Sequence, residues 1–294
     1  MLANSLLLGV DGGGTRCRAR LAAASGAVLG EGMGGPANIR FGLEASFSAV
    51  LDATLEDVGQ AGLGRRDLPR IVACLALAGA SEPADLAAAQ SLPHPFGRLL
   101  VTADAHAACI GAHGGRDGGV VIVGTGSAGW AEANGRHLRV GGWGLPVSDE
   151  GSGAWLGREA LRRVLWAHDG RIPWTDLLAA LFRRFQSDPH AVVRWTAQAL
   201  PRDFGSLAPL VVEHGLRGDA IGLELMRLAA GHVDALAARL VAFGAERLAL
   251  VGGLAGAVAP HVGNETRRRL VTPVGDALDG ALKLARTAAD QLAA

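Results

Sequence analysis

Near its start the chain reads Leu6-Leu-Leu-Gly-Val-Asp11-Gly-Gly-Gly-Thr15-Arg16. The apolar residues before Asp11 predict a short buried strand. A run that alternates basic and apolar residues follows from Arg16 to Ala24 and predicts a second strand. The three glycines between the two strands are therefore expected to form the tight turn of a β-hairpin.

The turn of this hairpin has the chemistry of a phosphate site. Glycine lets the backbone approach a ligand closely, and successive N–H groups in such a turn can form an anion-binding nest. Around Gly12, Gly13 and Gly14, Thr15 adds a hydroxyl and Asp11 can hold a divalent cation or its waters. The pattern is not a P-loop, because GxxxxGK[ST] is absent and a strand follows the glycines. An ordinary glycine-rich hairpin remains an equal alternative for this loop alone.

A second stretch repeats the same plan. Gly119-Val-Val-Ile-Val is followed by Gly124, Thr125, Gly126 and Ser127, and then by another predicted strand and an Asn-Gly turn. The two hairpins lie about a hundred residues apart. Such a repeat suggests a duplicated domain whose two halves face one nucleotide.

The composition argues against several classes of protein. Lys plus Arg and Asp plus Glu each number 28, so the charge balance gives no support for binding to nucleic acid or to an anionic membrane. Hydrophobic residues make up 49% of the 294 residues, which is enough for two domains of ordinary size. No stretch approaches the roughly 18 apolar residues of a membrane span, and no signal peptide is recognised.

The chain has three cysteines, Cys17, Cys74 and Cys109, which lie far apart in the sequence. Without a CxxC or a Cys/His cluster, neither a structural zinc site nor an iron–sulfur site is expected within one chain. This usage fits a reducing compartment and predicts a cytoplasmic location.

The order of predicted elements gives an α/β fold in two halves. The first half is predicted as β-β-β-α-β-α-β-α, and the glycine-rich segment 114–119 is the best boundary, which gives domains 1–117 and 118–294. The second half is predicted to begin with three strands up to Val140 and to carry a helical insertion at about 154–244. A strand from Arg247 to Val251, a short strand near Leu270 and a helix from Asp276 complete the prediction.

Asp104 is the candidate catalytic residue. It lies where a predicted strand gives way to a helix, and in open α/β sheets that position faces the ligand crevice. A carboxylate there can accept the proton of a substrate hydroxyl as it attacks phosphorus. Asp is also a good helix N-cap, which is the structural alternative.

Other candidates lie in loops. Asp149 begins an acidic pair at a predicted helix start, where it can bind sugar hydroxyls or magnesium, or simply cap the helix. Asn38 follows a Gly-Pro turn and can recognise a sugar, although Asn is also a common turn residue. Trp143 and Trp130 can each pack on a sugar ring, and Trp143 is preferred because polar loop residues surround it. Gly252-Gly253 after a strand is a weak signal for a nucleotide turn.

Taken together, these motifs resemble the acetate and sugar kinase, heat-shock cognate and actin superfamily. Within it, the chain looks like the BadF/BadG-type ATPases and N-acetylglucosamine kinases, and most like bacterial glucosamine kinases. The segments that carry this resemblance are Gly35-Pro-Ala-Asn38, Asp104-Ala-His-Ala-Ala, Gly141-Gly-Trp-Gly, Ser148-Asp-Glu-Gly-Ser-Gly153, Ala199-Leu-Pro-Arg-Asp-Phe-Gly205 and Asp276-Ala-Leu-Asp-Gly-Ala-Leu.

The resemblance implies two RNase-H-like domains hinged around a cleft that binds ATP and a sugar, with the last helix returning to the first domain. It implies that Thr15 and Thr125 contact phosphates, that Gly252-Gly253 contacts adenosine, and that Asp11 helps to place Mg²⁺. The implied sugar contacts are Asn38, Asp104, Gly142, Trp143, Gly144 and Asp149.

The predicted function is phosphorylation of an amino sugar, glucosamine or N-acetylglucosamine, at its 6-hydroxyl by Mg-ATP, with Asp104 as general base. One alternative is an ATPase that drives a partner protein, although the cysteines do not match those that bridge the dimers of such activators. Another is a catalytically silent sugar sensor. The sequence does not decide between a free amine and an acetamide, and a homodimer is left open.

Overall fold

Two β-sheets organise the structure, each in its own compact unit. The computed structural model describes residues 6–80 and 82–291. The first unit holds the residues up to Gly118 together with those from Thr272 onward, and the second holds Gly119–Val271.

The sheet of the first unit is mixed, with the order β3-β2-β1-β4-β5. Its strands are β1 (Leu6–Gly12), β2 (Cys17–Ala23), β3 (Val28–Gly34), β4 (Ile71–Leu77) and β5 (Arg98–Ala103). β1 pairs antiparallel with β2, as the hairpin prediction requires, and parallel with β4, which pairs parallel with β5. The continuous apolar run of β4 fits its complete burial between the two layers that cover the sheet.

Helices cover both faces of this sheet. They are α1 (Leu43–Gln60), α2 (Pro83–Gln90), α3 (Asp104–His113) and, from the far end of the chain, α12 (Ala277–Asp290). α1 packs on β3, and α12 packs on α3, β1 and β4. The first part of the chain therefore has the predicted order β-β-β-α-β-α-β-α.

Close backbone packing explains where glycine is needed in the first unit. α12 crosses α3 at Gly280, where a Cβ atom would collide with the backbone oxygen of Ala107. It crosses β1 at Gly9, where a Cβ would lie 2.8 Å from the backbone oxygen of Leu278. Glycine at these two positions therefore allows α12 to pack closely on α3 and β1.

The second unit has a four-stranded sheet with the order β8-β7-β6-β9. Its strands are β6 (Gly118–Val123), β7 (Ser127–Ala133), β8 (Arg136–Gly141) and β9 (Leu248–Val251). β9 pairs parallel with β6. The short strand predicted near Leu270 is reduced to one isolated bridge between Leu248 and Leu270.

Helices dominate the rest of the second unit. They are α4 (Gly153–His168), α5 (Asp176–Arg183), α6 (Pro189–Thr196), α7 (Pro201–Gly205), α8 (Ala208–Leu216), α9 (Ala220–Phe243), α10 (Ala255–Val258) and α11 (Asn264–Arg269). Their core contains fully buried Leu156, Leu177, Leu178, Leu181 and Leu225. Among the described residues, no helix is both long enough and apolar enough for a membrane span. The predicted α/β class with two strand-rich halves is confirmed.

Candidate functional site

Strand register brings the loops of the first unit to one edge of its sheet. Gly12 at the end of β1 lies opposite Leu77 at the end of β4, and Leu77 lies opposite Ala103 at the end of β5. The three strands are parallel, so the segments that follow them leave the sheet side by side. This edge corresponds to the position where open α/β sheets bind ligands.

The first glycine loop is a tight turn held by backbone hydrogen bonds. The N–H of Gly13 donates to the carbonyl of Arg16 over 3.0 Å, and the carbonyl of Gly13 accepts from the N–H of Ala37 over 3.0 Å. A Cβ on Gly12 would lie 2.7 Å from Leu77 Cδ2 and 3.0 Å from Ala37 Cβ, so a larger residue there would force these side chains to move. Thr15 is exposed at the tip of the loop.

Asn38 lies beside this loop. The N–H of Ala78 donates to the carbonyl of Gly12 over 2.8 Å, and the carbonyl of Ala78 accepts from the N–H of Ile39 over 3.1 Å. Asn38 Oδ1 accepts from the N–H of Arg40 over 3.0 Å and so caps the 3-10 turn Ile39–Phe41. A Cβ on Gly79, which has φ +82°, would lie 2.5 Å from that same oxygen. The end of β4 therefore approaches Asn38 closely.

Asp104 is the first residue of α3 and directly follows Ala103 at the same sheet edge. The N-cap position belongs to Ala103, so Asp104 does not occupy the capping position offered as its structural alternative. Its Oδ1 accepts a hydrogen bond from the N–H of Ala105 over 2.8 Å. Asp104 is half-buried and begins the segment that follows β5.

Asp11 is part of an ion-pair chain that the sequence did not indicate. Arg18 Nη2 lies 2.8 Å from Asp11 Oδ2, and Arg18 Nη1 lies 3.0 Å from Asp276 Oδ2. Burial opposes the charge of Arg18, but its bonds to the two carboxylates outweigh burial and raise the pKa of Arg18. Arg18 was missed because Asp276 lies 258 residues away along the chain.

A carboxylate at this place fits magnesium carried by a nucleotide. Mg²⁺ is usually held by one or two carboxylates together with substrate phosphates, and it keeps several of its waters. The side chain of Asp11 is 24% exposed at the end of β1. In the described part of the chain, no group of three or more His, Cys, Asp or Glu residues could form a metal cage by itself. Asp11 therefore has the chemistry of a ligand that shares a metal with phosphate oxygens.

The second glycine loop is held by the start of α4. The N–H of Gly124 donates to the carbonyl of Gly126 over 2.9 Å. The carbonyls of Gly124 and Thr125 accept from the N–H groups of Gly153 and Ala154 over 2.8 and 3.1 Å. The first amides of α4 thus fix the shape of the loop, and Ser152 caps the helix.

Asp149 connects this loop to the glycine-rich segment after β8. It is only 8% exposed and has φ +64°, a left-handed conformation that Asp tolerates better than most residues. Its Oδ1 accepts from the N–H of Gly144 over 3.1 Å. A Cβ on Gly126 would lie 2.7 Å from its Oδ2, and Ser127 Oγ donates to the carbonyl of Glu150 over 2.7 Å. Gly126, Ser127, Gly144 and Asp149 therefore lie close together.

The two candidate tryptophans differ in accessibility. Trp143 is 62% exposed, between Gly142 and Gly144, and the guanidinium of Arg139 lies 4.7 Å from its ring centre. Arg139 Nη2 also donates to the carbonyl of Gly142 over 2.5 Å. Trp130 is 9% exposed and stacks on a neighbouring imidazole. Only Trp143 of this pair presents a broad face to solvent.

The Gly252-Gly253 turn packs against the end of β6. Gly252 has φ +102°, and a Cβ there would lie 2.5 Å from the carbonyl oxygen of Val123. That oxygen also accepts from the N–H of Leu254 over 3.0 Å. Gly253 has nothing within 4 Å of its Cβ position. The turn therefore adjoins the residue that precedes Gly124.

The three cysteines are buried and not disulfide-bonded. Burial raises the pKa of Cys17 and of Cys74 to about 12, with Asp11 adding to the effect at Cys17. Cys109 Sγ donates to the carbonyl of Gly118 over 3.4 Å. Thiols of this kind are poor nucleophiles and poor metal ligands.

The fold and these glycine loops define a member of a known ATPase class. A model of the BadF/BadG/BcrA/BcrD ATPase family matches residues 8–291, and the chain belongs to this family. It is 38% identical over 278 residues to the glucosamine kinase GspK of Vibrio cholerae, with 95% of each chain covered.

Solved structures agree with this assignment. A putative N-acetylglucosamine kinase from Chromobacterium violaceum superposes with a TM-score of 0.90 at 37% identity, covering 96% of this chain and 99% of the other. A ROK-family glucokinase from Streptomyces griseus has a TM-score of 0.57 at 18% identity and shares the fold; the alignment covers 96% of this chain and all of that one. The family resemblance and the two-domain RNase-H-like fold class predicted from the sequence are confirmed, and the names of these relatives are those of sugar kinases.

Proposed function

We propose that the protein transfers the terminal phosphoryl group of ATP to the 6-hydroxyl of an amino sugar, either glucosamine or N-acetylglucosamine. The observation that supports the proposal is the shared register of Gly12, Leu77 and Ala103, because it gives Asp104 and the first glycine loop the same sheet edge. The names of the similar kinases support the substrate class.

In this proposal, Asp104 accepts the proton of the sugar hydroxyl as its oxygen attacks phosphorus. The base must lie close to the hydroxyl and be ionised when the reaction begins, and a carboxylate can meet both conditions. Asn38, at the same sheet edge, is proposed to orient the sugar through its amide. Its Oδ1 is engaged with Arg40, so the Nδ2 group is the donor we assign to a sugar oxygen.

We assign the phosphates to the glycine loops. The first unit contributes the loop of Gly12, Gly13, Gly14 and Thr15, and the second contributes the loop of Gly124, Thr125, Gly126 and Ser127. The N–H groups of Gly13 and Gly124 and the hydroxyl of Ser127 hold these loops in shape. We assign phosphate contacts to the hydroxyls of Thr15 and Thr125. Donors in loops that already have their final shape do not have to reorganise as charge develops on the transferring group. Gly252 and Gly253 are proposed to approach the adenosine part of the nucleotide.

Asp11 is the residue that we assign to Mg²⁺, through a water or directly. When bound, the ion neutralises negative charge on the phosphate oxygens of ATP. For the sugar, we assign Gly142, Trp143, Gly144 and Asp149. The Oδ1 atom of Asp149 already holds Gly144, so this residue is expected to act mainly by fixing the glycine segment. A cytoplasmic location is part of the same proposal, since all three thiols are free.

The test is release of ADP from Mg-ATP with glucosamine, N-acetylglucosamine, glucose, N-acetylmannosamine or no sugar. We expect strong turnover with one amino sugar and little without sugar. The position of the new phosphate is then read from phosphorus–proton correlation spectra, where coupling to the two C6 protons is expected. ADP release that does not depend on sugar would instead indicate an ATPase that drives a partner. No release with any sugar would contradict the kinase proposal.

A further inference from the structure

Arg18 joins the candidate metal ligand to the last helix of the chain. Asp11 and Arg18 are directly opposite each other in the antiparallel pairing of β1 and β2. One guanidinium nitrogen lies 2.8 Å from Asp11, and the other lies 3.0 Å from Asp276. Arg18 therefore divides its hydrogen bonds between two carboxylates from opposite ends of the sequence.

Asp276 has a separate partner for each of its oxygens. Its Oδ1 accepts from the N–H groups of Leu278 and Asp279 over 2.9 and 3.1 Å, which caps α12. Its Oδ2 accepts from Arg18. Asn is as good an N-cap as Asp, so replacing Asp276 by Asn preserves the cap and removes the charge that holds Arg18.

We propose that Arg18 is a positioning residue that competes with Mg²⁺ for Asp11, and that Asp276 sets the strength of this competition by holding the second nitrogen of the guanidinium. The inference rests on the proposed function, in which Asp11 helps to place the metal. It makes the cap of the last helix part of the control of the nucleotide site, although Asp276 itself is not assigned to any ligand.

Electrostatics supplies the reason. A guanidinium beside Asp11 neutralises the charge that would attract a divalent cation and repels the cation directly. When Asp276 is present, the guanidinium of Arg18 is attracted to two carboxylates. Its bond to Asp11 is then weaker, and a cation can replace it more easily. The pKa of Asp276 is lowered: burial opposes this, but the N–H of Asp279 and the positive charges of Arg18 and Arg20 outweigh it. Asp276 is therefore ionised at neutral pH and can hold Arg18.

Arg20 provides a matched control on the same strand. It lies 2.6 Å from Glu31 and 2.6 Å from Asp279, which is the next acid in α12. Its Nη1 is 3.9 Å from Asp276, beyond hydrogen-bond distance. Arg20→Gln thus removes a neighbouring basic residue of the same network without removing the group that contacts Asp11.

The first experiment measures ADP binding by calorimetry, with magnesium chloride and with EDTA, and takes the ratio of the two dissociation constants. We expect Arg18→Gln to raise the benefit of Mg²⁺ about three- to tenfold, since a repelling charge is lost. Asp276→Asn should lower it about two- to fivefold, because Arg18 then binds Asp11 alone. The double variant should behave like Arg18→Gln, and Arg20→Gln like the wild type.

Opposite signs for the two variants distinguish positioning from a general loss of structure, which would shift both in one direction. Equal shifts in one direction, no shift in either, or a shift in Arg20→Gln as large as in Arg18→Gln would overturn the proposal. If ADP binds the wild-type protein equally well with and without Mg²⁺, the metal role of Asp11 in the proposed function is wrong, and the competition falls with it.

A second experiment needs no ligand. Urea unfolding is measured in EDTA for Asp11→Asn, Asp276→Asn and the double variant. We expect non-additive effects because both acids act through one guanidinium. Asp11→Asn combined with Asp279→Asn should be closer to additive, since Asp279 pairs with Arg20. An additive result for Asp11 and Asp276 would refute the bridge while leaving the proposed kinase activity unaffected.

Discussion

At the scale of single residues, Asp104 combines a local structural contact with the catalytic role that we propose for it. Its Oδ1 accepts from the backbone of Ala105 in the first turn of α3, where negative charge is favoured by the helix dipole. That bond helps to fix the orientation of the side chain. A fixed and negatively charged carboxylate is what a general base requires.

We expect Asp104→Asn to lower kcat about 10²- to 10⁴-fold, because the amide cannot accept the proton of the sugar hydroxyl. The KM for the sugar should change only a few-fold, since the amide keeps the shape of the side chain. Asp85→Asn, which changes an acid in the first turn of α2, is the control and should retain activity. Near-full turnover by Asp104→Asn would show that another group removes the proton.

Two adjacent glycines give a second residue-scale prediction. Gly252→Ala should destabilise the protein by about 1–3 kcal/mol, because its φ is positive and its Cβ would collide with the Val123 carbonyl. Gly253→Ala should leave the unfolding midpoint nearly unchanged, because the space around it is open. If Gly253→Ala nevertheless weakens ADP binding, the turn approaches the nucleotide as proposed. Equal stability of the two variants would contradict the packing argument.

Sequence patterns located most of the candidate residues but not their connections. Both glycine loops could be found because a strand, a run of glycines and another strand are local signals. The role of Asp149 as a link to Gly144 could not be found, since it depends on a left-handed backbone inside a long loop. Arg18 could not be found because its second partner is brought close only by the tertiary fold.

At the scale of elements, the packing of α1 on β3 depends on alternating glycines. A Cβ on Gly30, Gly32 or Gly34 would collide with the backbone oxygen of Asp57, Ala53 or Ala49, respectively. Every second residue of the strand faces every fourth residue of the helix here, so the two backbones approach closely along about two turns of α1. The contact leaves Asp57 completely buried.

Burial raises the pKa of Asp57 to about 7 from an ordinary 3.8. The N–H of Leu21 and the charge of Arg20 oppose the shift, while Glu31 and Glu56 add to it. Because the folded-state pKa is the higher one, the native protein binds a proton that the unfolded chain releases between these values. The contribution to stability is therefore complete below about pH 4 and is lost as the pH rises through about 7.

We expect Asp57→Asn to be less sensitive to this rise in pH than the wild type. The difference in the free energy of unfolding between pH 5 and pH 8 should be at most about 3 kcal/mol larger in the wild-type protein. Urea unfolding at both pH values checks the prediction, with the exposed Asp52→Asn on the same helix as the control. Parallel pH dependence of wild type and Asp57→Asn would show that this carboxyl is already ionised at pH 5.

Helices and strands could be predicted where the sequence has a strong periodicity. They were hardest to predict where a single hydrogen bond decides whether a segment counts as a strand. The apolar run at β4 and the capped start of α12 at Asp276 were clear in the sequence. The residues around Leu270 have the composition of a strand, but they form one bridge with Leu248 and then leave the sheet. A pattern of side chains cannot show how many backbone bonds a segment will make.

At the scale of the whole molecule, the first unit is discontinuous. Its sheet comes from the first 118 residues, whereas α12 comes from the end of the chain and packs on β1, β4 and α3. α12 contributes Ala281, Ala285, Ala288 and Ala289 to a buried cluster that also contains Leu7 and Cys74. Without this helix, one face of the sheet would lose its cover.

We predict that a chain ending at Val271 has a first unit that does not fold stably, because the apolar face under α12 is exposed to water. Proteolysis of this variant should degrade the residues before Gly118 and leave a protected fragment from the second unit. A chain ending at Gln291 is the control. A truncated protein whose first unit resists protease as well as the control does would contradict the prediction.

The discontinuity of the first unit also has a consequence for biosynthesis. A ribosome makes residues 6–118 before it makes the second unit, yet their sheet must wait for α12, which is made after the second unit. The second unit is contiguous and can finish folding earlier, while the older part of the nascent chain still exposes apolar surface. The first glycine loop is therefore expected to reach its final form only after the second unit has been made.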